Sequence, residues 1–150
     1  MIRTILSIAA AAALIPVAAR AQDACSLLTP EQIKATLNLA VDPGEPGVVK
    51  ASNECTWSDA RGQDRVIIGL RPGADFRTAR TQIEKNGVHP TPVTGIGEDA
   101  FFVSSDESVS ALYVLAKNHF LLLTVTLPDG TQETNQAAEK ALATQILAKL

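Results

Sequence analysis

Residues 109–127 read VSALYVLAKNHFLLLTVTL, and the way this stretch divides decides the fold. Two apolar runs, Val109 to Ala116 and Phe120 to Leu127, flank the polar turn Lys117 to His119. Neither run approaches the roughly 20 residues of a membrane-spanning helix, and threonines interrupt the second, so both suit buried strands. A connection this short leaves no room for a crossover and makes the pair antiparallel. Upstream, Ala100 to Val103 reads as a further strand joined by the polar turn Ser104 to Glu107, which gives a three-stranded meander.

Working outward, Cys55 and Trp57 share one face of a strand. Ala60 to Gln63 supplies a turn, and Val66, Ile68 and Leu70 alternate on the returning strand. Asp75 is placed to cap a helix running to Asn86, with Phe76, Ala79 and Ile83 on one stripe and Asn86-Gly87 as its stop. Earlier, Thr29-Pro30-Glu31-Gln32 is a helix start: Thr29 caps, Pro30 takes the first helical position, Gln32 closes the capping box and Leu28 staples onto Ile33. That helix is expected from Pro30 to Leu39. The stretch Asp42 to Gly47, with two prolines and two glycines, reads as an exposed loop that cannot be a central strand. After Pro128-Asp129-Gly130, an alanine-rich helix from Glu133 to Leu150 carries Ala138, Leu142 and Ile146 on its buried stripe. The order α-ββ-α-βββ-α predicts an α+β domain, an antiparallel sheet of about five strands with helices packed on it.

The first 21 residues have the form of a secretory signal: a basic start at Arg3, an apolar core from Ile5 to Val17, and Ala19-Arg20-Ala21 as cleavage site, predicting Gln22 as the mature start. As a helix, the uncharged core from Thr4 to Ala19 would span about 24 Å, short of the roughly 30 Å hydrocarbon layer, so no transmembrane anchor is expected in the mature chain. Residues 22–150 suffice for a single domain. The leader holds two of the 13 positive charges and none of the 16 acids, so the remainder is clearly acidic. That balance argues against nucleic acid as a partner. The two cysteines, Cys25 and Cys55, both follow the leader, and an even count in an oxidising compartment reads as a disulfide.

Gly95-Ile96-Gly97-Glu98-Asp99-Ala100 matches the letters of a dinucleotide fingerprint, but prolines precede it and the strand Phe101-Phe102-Val103 follows. Its glycines are expected to turn the chain into the central strand instead. Glu98 and Asp99 with Asp106 and Glu107 lack calcium-loop spacing, so no metal and no cofactor are expected. The histidines are His89 and His119, and no serine sits in a nucleophile elbow, so no catalytic residue is assigned. Positive charge gathers between Arg61 and Lys85. Arg77 and Arg80, three apart on one helix, together with Arg71, are the candidates for an anion or partner patch, although Arg80 can equally pair with Glu84. Trp57 reads as core.

Three landmarks occur in order: CSLLT at residues 25–29 opening a capped helix, CTW at 55–57 on a strand, and GIGEDAFF at 95–102 leading into a later strand. Together they resemble small exported bacterial proteins, many of them lipoproteins, of the domain-of-unknown-function families that begin CSLLT and carry downstream C-x-W and G-x-G-D/E-x-A segments. The resemblance implies a bacterial envelope location, a Cys25–Cys55 bridge and an antiparallel α+β fold of the Mog1/PsbP-like kind, with no catalytic residue. The chain departs from the lipoprotein members because Gln22-Asp23-Ala24, before Cys25, is no lipidation signal. The leading expectation is a periplasmic or secreted non-enzymatic module that binds a protein or small envelope ligand. The alternative is a hydrolase.

Overall fold

The computed structural model describes residues 22–49, 52–105 and 109–150, so the leader lies outside the described residues. A 3₁₀ turn, Ala24–Ser26, precedes α1 (Pro30–Leu37), β1 (Glu45–Pro46), β2 (Glu54–Ser58), β3 (Asp64–Pro72) and α2 (Asp75–Lys85). Then follow β4 (Thr91–Val93), β5 (Asp99–Ser104), β6 (Ser110–Ala116), β7 (His119–Val125) and α3 (Gln132–Leu147). The strands form one sheet in the order β1-β2-β3-β7-β6-β5-β4, every pairing antiparallel, which makes the α+β class a finding.

The sheet has seven strands where about five were expected. The two extra are its edges, and both contain proline, Pro46 in β1 and Pro92 in β4. Proline has no amide to donate, which bars it from a central strand but leaves an edge open, and runs of two or three residues carry no alternation to read. Thus the stretch expected to be only a loop supplies β1. Its Gly44 lies against the core: a Cβ there would sit 2.7 Å from both Cys55 Sγ and the Trp57 ring. The GxGxxA segment likewise connects β4 to β5, a strand next to the edge and not the centre, with Gly95 and Gly97 at φ 80° and 63°.

The two sheet faces are packed differently. One carries Trp57, Val66, Ile68, Leu112, Val114, Leu121 and Leu123, which meet Ile33 of α1 and Ala138, Leu142 and Ile146 of α3 in the main core. The other is an aromatic cluster in which Phe76 of α2 packs on Phe101 and Phe120, with Tyr113 stacked against both of those rings. Thr29 and Gln32 form the expected capping box on α1. That helix stops at Leu37, two residues early, because Asn38 takes a left-handed conformation (φ 53°). Asp75 is the first helical residue of α2 and not its cap; the capping position is Ala74, which offers no side-chain acceptor. Thr131 caps α3, which ends at Leu147.

Cys25 and Cys55 form the expected disulfide, with Cα atoms 5.0 Å apart. It ties the 3₁₀ turn just upstream of α1 to β2. Trp57 is fully buried beside it.

One buried group closes the far end of the central strands. Glu139 of α3 has no exposure. Its Oε1 accepts the Val125 amide at 3.1 Å, and its Oε2 accepts the Ser110 hydroxyl at 3.0 Å. Burial pushes this carboxyl up from 4.5 to about 7, and the two hydrogen bonds only partly offset the rise. Asn135, one turn earlier, is also buried and accepts the Leu127 amide at 3.0 Å, where the chain leaves the sheet.

Candidate functional site

At the opposite end of the central strands, two turns are locked together. Lys117 and Asn118 take φ 48° and 63°, the geometry of a two-residue hairpin turn, so His119 is the first residue of β7 and not part of the turn. Register then sets Pro72 opposite His119 and Arg71 opposite Phe120. The Gly73 amide donates to the Asn118 carbonyl at 2.8 Å, and a Cβ on Gly73 would lie 2.8 Å from that same backbone. Only glycine permits this approach.

The result is a cleft of about 220 Å³. Leu70, Arg71 and Pro72 of β3 form one wall, Asn118 and His119 another, and Gln22 and Asn53 the third. Asn53 ties the third wall into the frame. Its Oδ1 accepts the Ala24 amide at 2.9 Å, its Nδ2 donates to the Gln22 carbonyl at 2.8 Å, and its own carbonyl accepts the Leu70 amide at 3.0 Å. The Gln22 side-chain amide donates to the Lys149 carbonyl at 2.9 Å. His119 Nδ1 lies 2.9 Å from the Lys117 carbonyl. A carbonyl only accepts, so Nδ1 carries a proton and donates it there. Arg71 is exposed. Its charge reaches Tyr113, whose phenol burial pushes above its ordinary pKa while Arg71 pulls it partly back.

Arg71 is also a wall of a neighbouring cleft of about 330 Å³ over Phe120 and Ala79, and that cleft contains the carboxylate Asp75. The His119 side has no carboxylate in its lining. Beyond Gln22 and Asn53 lies a larger open hollow of about 600 Å³, flanked by Asp23, Glu54 and the exposed Val48 and Val49.

The other arginines are placed differently. Arg65 is buried in an ion pair with Asp59 at 2.6 Å. Arg80 pairs with Glu84 at 3.4 Å and with Asp99 at 3.3 Å, and it lies over the Phe101 ring. Arg77 sits on the outer side of α2 in a shallow hollow with Thr78, Thr81, Gln82 and Lys85. The structure therefore sets Arg71 and His119 near one another on neighbouring strands, with their side chains on opposite faces of the sheet by register, and does not bring Arg77 and Arg80 to one cleft. No local motif could have found this neighbourhood, because only the β3–β7 register joins residues so far apart in sequence.

His89 is exposed between α2 and β4. Glu98 accepts the Lys117 amide at 2.7 Å and Asp99 is held by Arg80, while Asp106 and Glu107 lie outside the described residues. Among the described residues no group of three or more His, Cys, Asp or Glu side chains is placed to hold a metal ion. Among them, too, no helix is long and apolar enough to cross a membrane. Comparison with known protein families, with curated proteins and with solved structures finds no match for this chain.

Proposed function

We propose that the protein is an exported component of the bacterial envelope that works as a non-enzymatic binding module, with the cleft beside the β6–β7 turn as its ligand site. The observation that carries this reading is the make-up of the cleft: His119 is the one side chain among its lining residues suited to proton transfer, and that lining includes no carboxylate and no serine. Acid–base or nucleophilic hydrolysis needs a second proton-transferring or attacking group within hydrogen-bond reach, whereas binding does not. The Cys25–Cys55 bridge is compatible with an oxidising compartment, and the signal-like first 21 residues supply a route to it. The three landmarks shared with the small exported bacterial proteins, for which a Mog1/PsbP-like fold is expected, support the same placement.

Crosslinking in the native envelope, followed by capture of the protein and intact-mass measurement, tests both halves of the reading. The expected results are a chain beginning within a residue or two of Gln22 and a discrete crosslinked species through residues around the cleft. An acylated or uncleaved chain contradicts the export route. Crosslinks spread evenly over the surface contradict the site.

A further inference from the structure

We infer that the outer face of α2 is a docking surface for an acidic peptide segment of a partner protein, one that carries an apolar side chain beside its carboxylates. This surface is distinct from the cleft beside the β6–β7 turn, whose lining does not include Arg77, Thr81 or Lys85. Register places the first cation. Arg71 stands directly opposite Phe120, so both side chains leave the sheet on the face that α2 covers, where Phe120 meets Phe76. Arg77, Thr81 and Lys85 follow at intervals of four and align along the helix, with a rise of about 12 Å from first to last. Thr78 and Gln82, the ridge beside that line, belong to the walls of two hollows. One, of about 330 Å³, lies over Phe120 and Ala79 with Arg71 in its wall; the other, of about 280 Å³, is flanked by Arg77 and Lys85.

Charge decides the partner. Arg65 is neutralised by Asp59, and Arg80 by Glu84 and Asp99, but among the described residues no ion pair engages Arg71, Arg77 or Lys85. The two hollows set these cations against a single carboxylate, Asp75, in a chain that is acidic beyond its leader. The α2 face is therefore a local reversal of the protein's field and attracts an anionic partner. A dense polyanion such as nucleic acid meets repulsion from Asp75 and from the acidic remainder of the molecule. A peptide avoids both, because it can set carboxylates against Arg77 and Lys85 while an apolar side chain enters the hollow over Phe120 and Ala79. Arginine's paired N–H donors match a carboxylate, and the Gln82 amide on the ridge can donate to or accept from a peptide backbone.

The test is an NMR titration of the protein secreted from its own full-length precursor, with acetyl-Phe-Asp-Glu-Glu-amide as probe and acetyl-Ser-Asp-Glu-Glu-amide beside it. Saturable shifts are expected at the backbone amides of Thr78, Thr81 and Gln82 and at the Arg71 Nε–H, with binding that weakens severalfold as salt is raised. The serine probe leaves the Phe120 hollow unfilled and is expected to bind about threefold more weakly or worse. The double substitution Arg77→Gln and Lys85→Gln is expected to weaken binding about tenfold and Arg71→Gln severalfold. Lys34→Gln, which removes the same charge from an exposed position on α1, leaves it unchanged. Should the double variant fail to fold, Arg77→Gln alone carries the test with a severalfold loss. Non-saturating shifts, shifts centred away from α2, equal binding of the two probes, or a loss in Lys34→Gln equal to that in the double variant overturn the inference. Phosphatidylglycerol vesicles that engage the same amides more strongly than the peptide would give the surface to a membrane and overturn it as well.

Discussion

Replacing Glu139 by glutamine should remove a pH dependence that the fold builds into its own stability. The wild-type carboxyl is fully buried, and its pKa is raised from 4.5 to about 7. Between those two pH values the unfolded chain releases this proton while the folded one keeps it. The folded state therefore binds more protons, and stability falls as pH rises through that window. At about 1.4 kcal/mol per pH decade, the loss amounts to roughly 3 kcal/mol by pH 8, a large share of a small domain's net stability. Glutamine keeps both hydrogen bonds, since its carbonyl can accept the Val125 amide and its amide can donate to the Ser110 hydroxyl, and it carries no charge to desolvate. Urea unfolding should find the variant close to wild type at pH 4.5 and about 2–3 kcal/mol more stable at pH 8. Two other carboxylates are displaced in the opposite direction. Burial pushes Asp59 up, but hydrogen bonds from Arg65 and from the Gln63 and Arg61 amides outweigh it, and Glu31 is lowered by a backbone hydrogen bond and by Thr29. Their stabilisation is present above their ordinary pKa values and is lost only as pH falls through their folded ones, so it is common to both proteins within this window. A variant whose stability runs parallel to wild type from pH 4.5 to 8 would refute the reasoning.

Replacing Cys25 and Cys55 together by serine removes closure of a 30-residue separation and should lower stability by about 3–4 kcal/mol, with no titratable thiol in the unmodified protein under denaturing conditions. Gly44→Ala forces a Cβ onto the disulfide and Trp57, and denaturant unfolding should register a loss of about 1–3 kcal/mol by overpacking. Arg80→Gln removes two part-exposed ion pairs and a contact over Phe101, for which thermal melting should show a modest loss of about 0.5–1 kcal/mol; Arg77→Gln should leave the melting temperature unchanged.

Much of the architecture was legible because alternation and capping are local. The buried faces of β2, β3, β6 and β7 follow the period of two, and the α1 capping box and the α3 stripe fall on the residues that the sequence singled out. The edges β1 and β4 were not legible, since proline hides a strand whose only role is to border a sheet. Glu139 was missed although a signal existed. With Asn135 it occupies the same helical stripe as Leu142 and Ile146, and polar residues on a buried stripe mark an internal hydrogen-bonding site. The candidate cleft depends on the pairing of β3 with β7 and on the close approach of Gly73 to Asn118, neither of which leaves a mark at any single position.

The central claim is that the cleft binds and does not transform its ligand. Equilibrium dialysis of the purified protein against small molecules from the native envelope, read by mass spectrometry over time, tests it most directly. The account predicts a compound retained unchanged near one per protein and lost in His119→Phe. A compound that disappears in proportion to protein and time, with a product formed in its place, would contradict it.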